Sequence, residues 1–592
     1  MELIEKEHII SAAQLDKFHL EFTADFIMKL FDFDRFNEVY AELSIFKGVN
    51  FVNAALERLK VKIDIPEEDL KHIPQEGSFI VVANHPFGLL DGLVMIKLFG
   101  ERRPDFKIPA NFLLKKIEPV SDFIMPVNPF DNKQIASSVS GLRQTFQHIQ
   151  EGHPIGLFPA GEVSTYQSEF GMITDRQWQD AAIRIVKKAN VPVLPMYFQG
   201  SNSLVFHLLG LIHPNLRTAR IPTELFKKEN STLVTRIGSP ISPKELSQFD
   251  KTSKLGRYLR AKTYALGSGL KVKRFFKGGF RLFKPKDIIP PTEKELILNE
   301  LDKLPASCKI HTQKNYELYI ATADLIPNIL NEIGRLREIT FREVGEGSNK
   351  KVDLDEFDLY YHHLFLFDRE KEQIVGAYRM GKGNDIFNKY GKKGFYVNSL
   401  FKFDKSFEPI FRQSIELGRS FIVKEYQAKP LSLFILWKGL LYFLLTNPEY
   451  KYLLGPVSIS NSYSHVSKSL LIEFIKQHYY DENLAKLVQP RKDFEPNFEN
   501  LDTEILAEKY FKDKDMTELD KLIGEIEQHR QRIPVLLKKY IKQNAKIISF
   551  NIDPKFNDAL DGLMILDLKN LPEETINSLK KEMNIQIAKF DR

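Results

Sequence analysis

From Ser78 to Phe198 the sequence alternates short apolar runs with stretches whose apolar residues recur at helical spacing, and few folds accept that rhythm. Ser78–Ala83, Lys107–Asn111, Phe123–Val127, Ile155–Phe158 and Val193–Phe198 read as strands. Asp91–Phe99, Ala136–Glu151 and Trp178–Ala189 read as helices, the second with Val139, Leu142, Phe146 and Ile149 on one face. Alternation of this kind implies a sheet covered by helices, the α/β class. Residues 1–72 read as a helical segment ahead of it. Lys284-Pro285-Lys286-Asp287-Ile288-Ile289-Pro290-Pro291-Thr292 reads as a linker, because its prolines and charges cannot continue a helix. Beyond it a second α/β region has strands near Tyr316–Thr322, His363–Asp368, Ile374–Arg379 and Tyr452–Val457. Its helices lie near Leu325–Phe341, Phe407–Val423, Leu431–Leu445 and Val466–Tyr479. The halves share no repeat. The expected layout is two unlike α/β domains, 73–290 and 291–592, behind the segment 1–72.

Composition excludes several classes. A single cysteine, Cys308, rules out a disulfide framework and suits a reducing cytosol. Met1–His8 is acidic and carries no signal-peptide pattern. No segment reaches the roughly 18–20 apolar residues of a spanning helix; the nearest, Leu431–Leu445, is short, contains Lys438 and reads as a buried helix. The net charge of +6 is unevenly spread. Residues 251–286 hold twelve Lys or Arg and no Asp or Glu, interleaved with residues such as Tyr258, Leu259, Phe275, Phe276 and Phe283. Bases mixed with bulky apolar groups suit an anionic membrane surface or an acidic protein partner. A solvated helix face is the bland reading of the same run. No nucleic-acid-binding signature accompanies it.

The densest local signal is Val81-Val82-Ala83-Asn84-His85-Pro86-Phe87-Gly88-Leu89-Leu90-Asp91. An apolar strand delivers a histidine into a Gly/Pro turn, and a carboxylate follows at the start of the next apolar segment. A general base belongs in such a place, with the carboxylate fixing its tautomer. A loop histidine beside a helix-capping aspartate would have the same spacing. Three further blocks follow in order: Phe123-Ile124-Met125-Pro126, Phe158-Pro159-Ala160-Gly161-Glu162 and Val191-Pro192-Val193-Leu194-Pro195. Together, over about residues 75–240, they resemble the glycerolipid acyltransferase superfamily. By that resemblance His85 deprotonates an acceptor hydroxyl, Asp91 orients it, and Asn84, Phe158, Pro159, Gly161 and Glu162 line the substrate site. The departures are informative. Five residues separate His85 from Asp91 where the family has four. The arginines that usually follow the second and third blocks are absent, and arginine is the side chain suited to gripping phosphate. The acceptor should therefore lack a phosphate, unless Lys115, Lys116 or Arg176 takes their place.

In the second half the ordered set Leu336–Arg342, Asp355–Leu364, Val375–Met380 and Ile415–Val423, with a late block from Leu536 to Phe556, resembles the ornithine N-acyltransferases, relatives of the GNAT enzymes. An amine needs deprotonation and placement against a thioester. By the residues, Asp355, Asp358 and Glu416 suit a cationic acceptor or its proton, with Glu416 the candidate base. Arg342, Arg379 and Arg419 suit its carboxylate. An internal salt-bridge network, such as Glu416 with Arg419 three apart on one helix, is the structural alternative. His363 reads as a structural histidine. The chain lacks metal-ligand spacing and a Gly-Lys-Ser/Thr phosphate loop.

Joined in this order the halves resemble the bifunctional ornithine lipid synthases. That resemblance implies N-acylation of ornithine by a 3-hydroxyacyl group in the C-terminal half, then O-acylation of the 3-hydroxyl in the N-terminal half. The donor would be acyl carrier protein through its phosphopantetheine arm, with no other cofactor and no metal. The lyso-aminolipid would be met at the inner face of the cytoplasmic membrane by a cytoplasmic, peripheral enzyme. The residues leave open glycine or another amino acid, a lysophospholipid acyltransferase with an idle second domain, and a non-enzymatic membrane adaptor.

Overall fold

A computed structural model of the chain describes residues 28, 32–127, 135–167, 172–203, 205–207, 217, 220–270, 286–498, 501–527 and 530–583. The fold is mixed α/β throughout. Two compact units divide the chain: residues 1–271 with 498–512 and 521–530, and residues 272–497 with 513–520 and 531–592. The segments 498–512 and 521–530 depart from the sequence expectation, which gave everything after 290 to the second domain.

In the first unit a five-stranded sheet runs in the order Lys62–Asp64, Thr232–Ile237, Val193–Phe198, Ile80–Ala83, Ile155–Leu157. Ile80–Ala83 pairs in parallel with a neighbour on each side, and all four of its residues are buried. An unbroken apolar run is what a strand covered on both faces requires. The helix Leu89–Gly100 follows after a tight turn, and most of its residues are buried. The N-terminal segment is helical over Phe33–Leu43 and Gly48–Arg58, but Lys62–Asp64 joins the sheet edge.

The basic stretch is corrected by the structure over its first half. Thr252–Ser268 is a helix whose Leu255, Tyr258, Leu259, Tyr264 and Leu266 are buried. Its bases have partners within the unit. Lys254 bonds Glu508 at 2.7 Å; Arg257 bonds Asp502 at 2.8 Å and Glu504 at 2.7 Å; and Lys262 pairs with Glu525. The neutralising acids lie some 245–263 positions away, so a local count could not find them. Residues 271–285, the rest of the proposed membrane stretch, lie outside the described residues.

The second unit is built on an eight-stranded sheet in the order Lys309–Gln313, Tyr316–Thr322, His362–Asp368, Gln373–Lys382, Ser414–Ile422, Tyr452–Ile459, Ala559–Asp567, Lys546–Asp553. Every neighbouring pair is antiparallel except Ser414–Ile422 with Tyr452–Ile459, whose parallel pairing covers only Ser414–Glu416 and Tyr452–Leu454. The expected helix Phe407–Val423 is wrong. A short helix, Glu408–Arg412, precedes a strand in which Ile415 and Leu417 are buried core residues. The three-residue spacing of Glu416 and Arg419 imitates a helical pair, whereas the segment is a central strand buried on both faces. Pro430–Leu445 is the buried helix expected there, and Lys438 within it is 3 % exposed. Among the described residues no helix is long and apolar enough to cross a membrane.

Candidate active sites

His85 follows the end of the strand Ile80–Ala83 and Asp91 is the third residue of the following helix. His85 Nδ1 lies 2.9 Å from Asp91 Oδ2, which also accepts from the backbone N–H of Phe87 at 2.9 Å and of Gly88 at 3.0 Å. Asp91 is fully buried while the His85 side chain is 17 % exposed, so the pair opens only through the imidazole. With Nδ1–H held by the carboxylate, Nε2 is left as the basic nitrogen. Phe158 stacks on the ring with centroids 4.0 Å apart, fixing its plane.

A second carboxylate holds the histidine's backbone. Asp175 Oδ1 accepts from His85 N–H at 3.2 Å and from the Ser164 hydroxyl at 2.5 Å, and Ser164 N–H in turn donates to the His85 carbonyl at 2.8 Å. Trp178 Nε1 donates to Asp175 Oδ2 at 3.1 Å, and Asp175 N–H donates to the Tyr264 hydroxyl at 2.8 Å. Burial raises the Asp175 pKa, and these donors pull it back. Sequence reading missed Asp175 because it stands in no motif and meets His85 across 90 positions.

The histidine heads a cavity of about 460 Å³. Phe158, Pro159 and Gly161 line it as expected, with Leu89, Leu93 and Ile96 among the apolar groups. Among its described lining residues none is Lys, Arg, Asp or Glu. Two expectations are corrected. The Asn84 amide is committed to the neighbouring strand, donating to the Phe198 carbonyl at 2.9 Å and accepting its N–H at 2.8 Å, and so contacts no substrate. Glu162 is held by Arg217 at 2.8 Å and Arg176 at 3.2 Å.

In the second unit the predicted charges do meet. Asp358 accepts from Arg337 at 2.9 Å and lies 3.2 Å from Arg379; Asp355 lies 2.5 Å from Arg379 and 3.5 Å from Arg419; Asp353 lies 2.7 Å from Arg337 and 3.3 Å from Arg419. Burial would raise the Asp358 pKa, but Arg337 and Arg379 outweigh it and hold the carboxyl well below the usual range. Arg337 and Asp353, central to this cluster, were passed over because flanking acids and bases looked equivalent in sequence. Arg419 has φ +51°, strained for a side chain, and its guanidinium lies over Phe556 and Tyr396. Beside it, an added Cβ on Gly418 would meet nothing within 4 Å.

Two more expectations change. Arg342 braces Glu338 at 2.7 Å and the carbonyls of Lys286 and Lys350, and is not available to a substrate carboxylate. Glu416 is 1 % exposed, and its carboxylate accepts from the Tyr361 hydroxyl and from the N–H groups of Tyr396 at 3.1 Å and Val397 at 2.7 Å. Burial raises its pKa to about 7. In this arrangement it holds the turn at Tyr396 and Val397 from within the core. His363 is structural as expected: Nε2 lies 2.9 Å from the Asp358 carbonyl, and burial lowers its pKa to about 4.

Residues 11–273 match the acyltransferase family, and residues 336–438 match the acetyltransferase (GNAT) domain family. The protein is an acyltransferase with an N-terminal acyltransferase domain and a C-terminal GNAT-type domain. A glycine N(alpha)-acyltransferase of Bacteroides thetaiotaomicron is 32 % identical over 302 residues, covering 49 % of this chain and 88 % of that protein. The Phocaeicola vulgatus enzyme of the same name is 29 % identical over 302 residues, 49 % of this chain and 91 % of its own. A lyso-glycine lipid O-acyltransferase of Bacteroides thetaiotaomicron is 26 % identical over 258 residues, 42 % of this chain and 92 % of its own. The chain belongs to the family of the Bacteroides glycine N(alpha)-acyltransferase.

Proposed function

We propose that this chain makes a phosphorus-free aminolipid by two acyl transfers. The C-terminal unit joins a 3-hydroxyacyl group to the amine of an amino acid, and the N-terminal unit esterifies the 3-hydroxyl of that lyso-lipid. The observation that carries the reading is the 460 Å³ cavity headed by His85, whose described lining holds no Lys, Arg, Asp or Glu and which suits a hydroxyl borne on a hydrocarbon chain. His85 Nε2 takes the hydroxyl proton as the oxygen attacks the thioester carbonyl. The carbon–sulfur bond then breaks, and the imidazolium returns the proton to the departing thiolate. General-base help of this kind is worth about 10²–10⁴-fold. Acyl carrier protein supplies both acyl groups through its phosphopantetheine arm, and the second acceptor is met at a membrane surface.

The names of the relatives favour glycine as the amino acid. In the second unit Asp355 and Asp358 are paired with arginines and Glu416 with backbone donors, so these three acids are not free for the second amine of ornithine. Ornithine is the alternative acceptor. Expression in a host without aminolipids, followed by lipid mass spectrometry, tests both. The intact chain should yield a diacyl aminolipid whose head group identifies the amino acid. His85→Ala should accumulate the monoacyl form. A diacyl product from His85→Ala would refute the division of labour, and no aminolipid from the intact chain would refute the function.

A further inference from the structure

Glu162 stands between Gly161 and Val163, both of which line the cavity, and two arginines converge on it. Arg217 Nη2 lies 2.8 Å from Oε2 and Arg176 Nε 3.2 Å from Oε1. The Arg217 side chain is 9 % exposed, that of Glu162 23 % and that of Arg176 62 %. Gly161 itself lines the cavity with His85, at φ +72°, with Gln179 so close that a Cβ would collide with it. The turn is therefore fixed, and the carboxylate that follows it is held one residue from the lining.

Two guanidinium groups converging beside a cavity-lining turn suit a phosphate monoester, because each offers planar paired donors. Here a carboxylate from the protein already fills that receptor. A phosphate entering it would have to strip Glu162 of both partners and leave an unpaired carboxylate beside its own negative charge. A neutral or zwitterionic acceptor leaves the triad intact. Discrimination then comes from a repulsive element built against the wrong substrate.

We propose that Glu162 is a specificity-determining residue: by occupying Arg176 and Arg217 it excludes phosphate-bearing lyso-lipids from the O-acyl-transfer site. This inference rests on the O-acylation reading above, and the test separates the two. The full chain is assayed with acyl carrier protein thioesters on two acceptors, a lyso-aminolipid and 1-acyl-glycerol 3-phosphate. Failure of the unaltered chain on the lyso-aminolipid refutes the functional reading. Acylation of the phosphate acceptor by the unaltered chain refutes the gate.

Glu162→Gln should raise kcat/KM for the phosphate acceptor by at least about tenfold, the worth of one charge-assisted hydrogen bond. Arg217→Met added to it should remove that gain. Glu162→Asp, whose shorter arm cannot reach both guanidinium groups, should give a smaller gain and guards against misfolding of the first variant. No gain in either single variant that still acylates the lyso-aminolipid overturns the proposal. A gain that survives Arg217→Met overturns it too, and loss of both activities in both variants would make Glu162 a folding residue.

Discussion

Glu525→Ala removes the counter-ion of Lys262, a lysine 5 % exposed in the helix Thr252–Ser268. Burial alone would lower the lysine's pKa, and Glu525 more than reverses this, so the folded state favours the charged form. Breaking a buried pair from one side leaves an uncompensated charge and costs about 3–5 kcal/mol. The Tyr510 ring, 5.8 Å from Nζ, recovers little of that. At about 2–4 °C per kcal/mol for a unit of this order of size, the melting temperature should fall by roughly 6–20 °C. Lys262→Met with Glu525→Met replaces both charges by apolar groups and should sit near the unaltered protein or above it. The raised lysine pKa gives the sign of the pH effect. The pair's contribution is fully present below the unfolded lysine value of about 10.4 and is lost as pH rises through the folded one; in Glu525→Ala burial pulls the lysine pKa down, so the difference between proteins should be larger at pH 7 than at pH 9. Calorimetry of the full chain, with thermal inactivation of O-acyl transfer marking the first unit, gives the readout. A Glu525→Ala penalty under about 1 kcal/mol, or a double variant as unstable as the single, would refute the claim that Lys262 is buried as an ion pair.

Gly92 lines the cavity, and an added Cβ would meet nothing within 4 Å, so Gly92→Phe should fold normally yet lose O-acylation of long-chain acceptors before short ones in a chain-length series. Asp175→Asn presents an amide to the three donors that hold Asp175, shifting His85 without touching substrate. It should lower kcat for O-acylation by about 10²-fold with KM little changed, and a KM that rises in step would contradict that role. Glu416, with its pKa raised to about 7, keeps a proton in the folded state that the unfolded chain releases at ordinary carboxylate pH. Stability of the second unit should therefore fall as pH rises toward 7, and Glu416→Gln should flatten that slope in denaturant melts; Asp561, also raised to about 7, leaves a residual slope.

Much of this was legible in the sequence where the information is local. Ile80–Ala83 announces a doubly covered strand by being apolar throughout, and the Gly/Pro turn after it announces a histidine at the strand's end. Asp91 was placed correctly because capping a helix and holding an imidazole both ask for a carboxylate at that step. Illegible were the partners that cross the chain. Lys262 looked like membrane-facing charge because Glu525 lies 263 positions on, and Asn84 looked available because its acceptor is a carbonyl at 198. The Ser414–Ile422 strand failed for a different reason: a strand buried on both faces loses the alternation that tells it from a buried helix.

The extra residue between His85 and Asp91 leaves the two side chains within hydrogen-bond distance. Gly88 adopts φ +89° at the helix entrance, a conformation that an L side chain enters at a cost of about 1–2 kcal/mol and that glycine enters freely. A side chain there would also press on Val163 at 3.2 Å and Ile221 at 3.4 Å, both part of the cavity wall. The turn therefore absorbs the insertion by folding back on itself, which points the N–H groups of Phe87 and Gly88 at the same Oδ2 that holds His85. Three donors on one buried oxygen fix the carboxylate more firmly than an imidazole alone would. What this turn achieves is thus the convergence of donors on Asp91, and Gly88 is the residue whose backbone allows it.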